Sequence, residues 1–223
     1  MLTENADCRK DSAGPRAEEK MQKTVGKAEL NKQKKKSSLL DSAYSLFTLK
    51  GFNDTSISDI ARQAGVAKGT FYLYFNDKFD LRNKLIASQG ERIFMTAMEK
   101  LSGKETMPFE EQVVFLVDTI LDELAAEPML VGFMAKHLSW GVFRNSMIDG
   151  SSSPASVREA YEAFLSRSPV KYKDPDILLY MILEFISGTS YNSILYGQPC
   201  PLAELKPHMY NGIRALLKSA EVE

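Results

Sequence analysis

The stretch "TSISDIARQAGVAKGTFYLYFNDK", residues 55–78, decides how the chain is read. Ser56 has the character of an N-cap, and Asp59 three positions on completes a capping box, so a short helix starts here. Ile57, Ile60, Ala61 and Ala64 form its inner face, and Gly65 stops it. A second short helix follows. On it Phe71 and Phe75 are four residues apart and share one face. Thr70, Tyr72 and Leu73 then point away from that face. Exposed aromatic and apolar groups on so short a helix need a partner. Asn76 and Asp77 break the chain again. Asp77 with Asp80 fits another capping box, opening a long helix from Lys78 to about Leu101.

Working outward, the chain before this stretch is helical from Ser37. Leu40, Ala43, Tyr44 and Phe47 make one stripe with Leu39 and Leu46 beside it, and Gly51 ends the helix. Residues 1–36 have no apolar periodicity and are rich in Lys, Glu, Ala and Gln, closing on "NKQKKK". They read as a basic, flexible arm. Downstream, helices are expected over 108–126, 128–143, 154–167 with Ser153 as N-cap, 174–196 closed by Gly197, and 202–220. No strand pattern competes. The expected fold is all-α with about nine helices: an arm (1–36), a compact N-terminal domain (37–82) and a larger helical domain (83–223).

The composition narrows the functional classes. Of 223 residues, 44% are hydrophobic, enough for a real core. The most apolar segment, 177–197, carries Glu184, Gly188 and Asn192, so it reads as a buried helix and not a membrane span. The first residues have no apolar leader, and the two cysteines, Cys8 and Cys200, offer neither a disulfide framework nor metal-ligand spacing. A cytoplasmic protein without metal or cofactor is expected. Residues 1–101 carry 18 Lys+Arg against 13 Asp+Glu, and residues 102–223 carry 10 against 16. The split points to a polyanion facing the N-terminal half.

Two short helices joined by a glycine turn and packed on a preceding helix make a helix-turn-helix. The second short helix of that motif enters the DNA major groove. Phe71 and Phe75 then anchor it, leaving Lys68, Gly69, Thr70, Tyr72, Leu73 and Tyr74 toward the duplex. Gly69 admits close backbone approach. Lys68 suits guanine edges or phosphate, Thr70 a phosphate or thymine methyl, and the tyrosine hydroxyls phosphates. Lys78 opposes the dipole at the start of its helix, which a docked phosphate would relieve.

Residues 45–81, "SLFTLKGFNDTSISDIARQAGVAKGTFYLYFNDKFDL", closely resemble the DNA-binding region of TetR-family transcriptional regulators. The cores of the match are "TSISDIA", "AGVAKGTFYLYF" and "DKFDL". The resemblance implies a homodimer on a DNA operator, a C-terminal domain that receives a small-molecule effector, and usually repression. Carried over residue by residue, the family's DNA contacts fall on Ser56, Ser58, Lys68, Gly69, Thr70, Tyr72, Leu73, Tyr74 and Lys78. Ala67 departs from the pattern, because many members have a Ser or Thr cap there.

The helix over 174–196 is apolar nearly all round at its start, which suits burial against its own domain and against a second subunit. With the last helix it would form a four-helix bundle about a two-fold axis. Phe133, His137, Trp140 and Phe143 recur at helical spacing and suit an apolar pocket with a few polar handles; Phe115, Thr119, Tyr161, Tyr180 and Glu184 join them as candidate effector contacts. No phosphate loop, metal cluster or nucleophile elbow is present, so an enzyme is not expected. The alternative is an architectural DNA-binding protein without an effector.

Overall fold

The computed structural model describes residues 15–135 and 157–222, with side chains over 28–133 and 157–222. Among them are nine helices: α1 (Pro15–Lys50), α2 (Ile57–Gln63), α3 (Lys68–Phe71), α4 (Lys78–Leu101), α5 (Phe109–Ala126), α6 (Pro128–Ala135), α7 (Val157–Leu165), α8 (Pro175–Tyr196) and α9 (Leu202–Ala220). One isolated bridge, Tyr172 with Glu221, is the sole extended pairing among the described residues.

The arm expected over 1–36 is helical where it is described. From Pro15 onward it is the first part of α1, a single helix of 36 residues. Its Lys, Glu, Ala and Gln are good helix formers. The segment from Leu39 is fixed by packing, so extending the helix backward needs propagation alone and no new nucleus. Its described side chains, over 28–36, are exposed except for a half-buried Lys36.

The expected punctuation of the next segments is present. Gly51 takes φ 87°, and its N–H donates to the Phe47 carbonyl at 3.0 Å. The Ser56 hydroxyl accepts from the Asp59 N–H at 3.1 Å, while the Ser56 N–H donates to the Asp59 carboxylate at 3.2 Å. Gly65 takes φ 67° at the turn between α2 and α3. Asp77 caps α4 through the Asp80 N–H, but the Asp80 carboxylate reaches back one residue further, to the Asn76 N–H. Asp174 precedes α8 without a side-chain cap bond.

Two cores result. Leu39, Ala43 and Phe47 of α1, Ile60 of α2, Phe71 and Phe75, and Leu81, Leu85 and Ile86 of α4 fill the first. Leu130 and Phe133 of α6 are buried in it as well. The second joins Ala97 and Leu101 of α4 to α5, Phe164 of α7, and the inner faces of α8 and α9. α4 therefore serves both cores; at 1.5 Å per residue its 24 residues span about 36 Å. α8 and α9 approach closely: a Cβ on Gly212 would lie 2.5 Å from Phe185 Cζ, so a side chain there would displace the ring.

Candidate nucleic-acid interface and effector cavity

α3 begins at Ala67, which caps it without a side-chain bond, and the α-helical turn is only four residues long. Hydrogen bonds from the N–H groups of Leu73, Tyr74 and Phe75 to the carbonyls of Thr70 and Phe71 carry the coil on to Phe75. Phe71 and Phe75 are fully buried, as the i,i+4 spacing requires. Tyr72 and Leu73 are 52% and 77% exposed, and Lys68 and Gly69 are exposed beside them. Thr70 and Tyr74 are half-buried, and Tyr74 leans on the first core. A Cβ on Gly69 would meet nothing within 4 Å, so the protein's own packing makes no demand for glycine there. On α2, Ser58 is exposed, and the Ser56 hydroxyl is held by Asp59 on both sides of its capping box.

Lys78, expected at a DNA phosphate, has partners within the chain. Its ammonium donates to the carbonyls of Phe52 at 2.7 Å, Thr55 at 2.8 Å and Asn53 at 3.4 Å, and lies 4.4 Å from the Phe52 ring centroid. A cation with no local reason at a helix start ties the α1–α2 loop to α4. Thr55, which carries no signal of its own in the sequence, completes the junction: it is buried and its hydroxyl donates to the Gly51 carbonyl at 2.8 Å.

A second junction has no local signal either. Glu127, between α5 and α6, accepts from the Tyr44 hydroxyl of α1 at 3.1 Å and from Arg92 of α4 at 2.6 Å. Burial first, then the Glu127 bond, pushes the Tyr44 hydroxyl above its ordinary pKa, so it stays a donor.

Inside the second core lies a cavity of about 80 Å³. Phe94 of α4, Leu116 and Ile120 of α5, Tyr161 of α7, and Leu179 and Ile182 of α8 are among its walls. The Tyr161 hydroxyl is turned to the Pro175 carbonyl at 2.9 Å, and burial pushes its pKa far up, so the wall is uncharged. Of the expected effector contacts, Tyr161 lines this cavity. Phe115 and Thr119 lie outside its lining, the Thr119 hydroxyl donating to the Phe115 carbonyl. Tyr180 and Glu184 are exposed on α8. Phe133 belongs to the first core, where its ring packs on α1. His137, Trp140 and Phe143 lie outside the described residues. The lining residues that sequence reasoning misses are aliphatic and phenyl groups, which carry no mark to separate them from ordinary core.

Residues 39–85 match the N-terminal model of the bacterial regulatory proteins of the tetR family. An uncharacterized HTH-type transcriptional regulator of Bacillus subtilis, YvdT, is 34% identical over 85 residues, 38% of this chain and 41% of that relative. The fatty acid metabolism regulator protein of Bacillus subtilis is 35% identical over 80 residues, covering 34% and 41%. The matched part thus spans about two fifths of these relatives' length. The crystal structure of the transcriptional regulator FadR from Bacillus subtilis in complex with stearoyl-CoA superposes with a TM-score of 0.57 at 19% identity, over 80% of this chain and 97% of that one. That likeness extends the shared fold to the C-terminal helices. These relatives are transcriptional regulators and not enzymes.

Proposed function

We propose that this chain, a TetR-family transcriptional regulator whose residues 39–85 match the family's N-terminal model, represses transcription by binding a pseudo-palindromic operator as a homodimer and leaves the DNA when a small apolar or amphipathic effector binds. The observation that carries this is the outward face of α3: Lys68, Gly69, Tyr72 and Leu73 are exposed on a segment whose Phe71 and Phe75 are fully buried. A rigidly anchored turn with a cation, a bare glycine and two exposed apolar side chains matches the needs of major-groove reading. Ser58, Thr70 and Tyr74 flank it as phosphate or base contacts, and Ser56 contributes as the cap that fixes α2.

The dimer is assigned to α8 and α9. Ile177, Met181 and Tyr196 of α8 are exposed at 56%, 41% and 64%, apolar groups on one helix that a second copy could cover. Two copies paired there would present two α3 helices to successive major grooves, about 34–36 Å apart.

The effector class follows from the cavity. Walls of phenyl and aliphatic groups with a neutral tyrosine favour a hydrocarbon group without charge. The stearoyl-CoA held by a regulator of the same fold supports an acyl chain as that group. The described cavity of about 80 Å³ would widen around such a chain by displacing α7 or α8. α4 and α6 both run from the effector domain into the first core, so that displacement would reach α3.

Selection of bound duplexes from a random library tests the reading. An inverted repeat with half-sites about one or more helical turns apart is expected, and its occupancy should fall with added long-chain acyl-CoA. Enrichment of no sequence, with binding indifferent to acyl compounds, would favour the architectural alternative.

A further inference from the structure

We propose that the basic first part of α1 is a second DNA-binding surface, gripping the phosphate backbone of the duplex beside the half-site that α3 reads. This rests on the DNA-binding reading above and adds a surface to it.

The motif domain is nearly neutral. Residues 37–82 hold five Lys+Arg against five Asp+Glu, whereas residues 15–36 hold eight against three. Several cations of that domain and of α4 beyond it are also committed. Lys78 is held by three carbonyls, and Arg62, Lys84, Arg92 and Lys100 are paired with Asp59, Asp80, Glu127 and Glu123. Affinity for DNA comes largely from cations that neutralise phosphates and release counterions. Lys68 is the sole cation of α3, and one is too few for a stable complex.

The first part of α1 supplies the missing charge in the right place. Lys32, Lys34 and Lys35 are exposed, and none of them is ion-paired among the described residues. Further back, Arg16, Lys20, Lys23, Lys27 and Lys34 follow at intervals of 4, 3, 4 and 7, the repeat of one helical face. The segment leaves the domain beside the helix-turn-helix turn: the Ser38 hydroxyl donates to the Ala64 carbonyl at 3.1 Å, just before Gly65 and α3. At 1.5 Å per residue, residues 15–36 extend about 33 Å, close to one turn of duplex. A membrane surface is a poorer match, because interfacial binding needs a broad apolar face and the large apolar residues of 15–36 are only Met21, Val25 and Leu30 against eight cations.

The test uses the full chain with Lys32, Lys34, Lys35 and Lys36 all changed to Gln, and a control with all four changed to Arg. Fluorescence anisotropy gives Kd between 50 and 200 mM salt for a random duplex and for a selected operator. The Gln variant should bind both duplexes more weakly by the same factor. The slope of log K against log salt should shrink by about 0.9 for each phosphate that is no longer neutralised, so by about 2–4 for each subunit that contacts the duplex. The Arg control should keep the parent slope. An unchanged slope in the Gln variant overturns the proposal. So does loss of binding to phosphatidylserine vesicles with the DNA slope unchanged, which would assign the surface to lipid. The ratio of the two duplexes in the parent protein reads the regulator function separately: no preference there would sink that function while the random duplex still tests this surface.

Discussion

The ring of Phe133 in α6 stacks on that of Phe47 in α1 with centroids 5.6 Å apart and planes 23° from parallel. A helix of the C-terminal half thus ends inside the core that holds the helix-turn-helix. The same helix packs on α8, where Leu195 Cδ1 would lie 3.9 Å from a Cβ on Gly132. α8 in turn supplies Leu179 and Ile182 to the cavity wall. A cavity that changed shape would meet α1 through this packed series as well as through α4. Packed cores respond to such changes by switching arrangement and not by gradual deformation.

Phe133→Ala should therefore destabilise the DNA-binding half by about 3–5 kcal/mol, the usual cost of removing a buried phenyl ring. Urea unfolding followed by far-UV circular dichroism measures it. A change below about 0.5 kcal/mol would mean that α6 does not share that core.

Tyr44 and Glu127 should be coupled. Tyr44→Phe removes one partly buried hydrogen bond, with an expected loss of about 0.5–1.5 kcal/mol. Combined with Glu127→Gln in a double-mutant cycle, the two losses should fall short of their sum by about 0.5 kcal/mol or more. Strict additivity would show that the hydrogen bond is not maintained in solution.

Lys78→Met separates a structural from a DNA-facing lysine. Held by the Phe52 and Thr55 carbonyls, the ammonium should matter to folding, with a loss of about 1–3 kcal/mol. The salt slope of DNA binding should stay at the parent value while the protein is folded. Unchanged melts with a slope lowered by about 0.9 would return the ammonium to a phosphate.

Acid should loosen the junction between α5 and α9. Burial alone would raise the Asp118 pKa, but hydrogen bonds from Lys206 and Tyr210 outweigh it and hold the carboxyl below 3.8. A depressed carboxylate contributes stability that is present above its unfolded pKa and lost as pH falls through the folded value. Stability from this group should be constant near neutrality and fall below about pH 3.8. Asp118→Asn should lose less than about 1 kcal/mol at pH 7, since the group is partly exposed, and should flatten the acid limb of the denaturation profile. An unaltered acid limb would contradict the pairing.

Much of the DNA-binding half is legible in the sequence because its signals are local. The Ser56–Asp59 box, the turn at Gly65 and the Phe71–Phe75 pair each act within a few residues. What escapes is carried by distant partners. Lys78 looks misplaced until the carbonyls more than 20 residues away are seen. Glu127 looks like an ordinary acidic residue before Pro128 until Tyr44 and Arg92 reach it. Phe133 reads as a pocket residue because spacing places it on a helix face but does not say which core that face enters. The reach of α1 back to Pro15 is hidden for another reason: a helical stretch whose described side chains, over 28–36, are mostly exposed gives little apolar pattern to read.

The claim that α3 reads DNA is tested most directly by operator affinity at fixed salt for Lys68→Ala and Tyr72→Ala beside the parent protein. Both side chains are exposed, so thermal melts should stay within about 0.5 kcal/mol of the parent. Removing either side chain weakens one half-site by about 1–3 kcal/mol, and a two-fold dimer carries the change twice, so operator Kd should rise by about 30-fold or more. Parent-like Kd in both folded variants would contradict the assignment of α3 as the recognition helix.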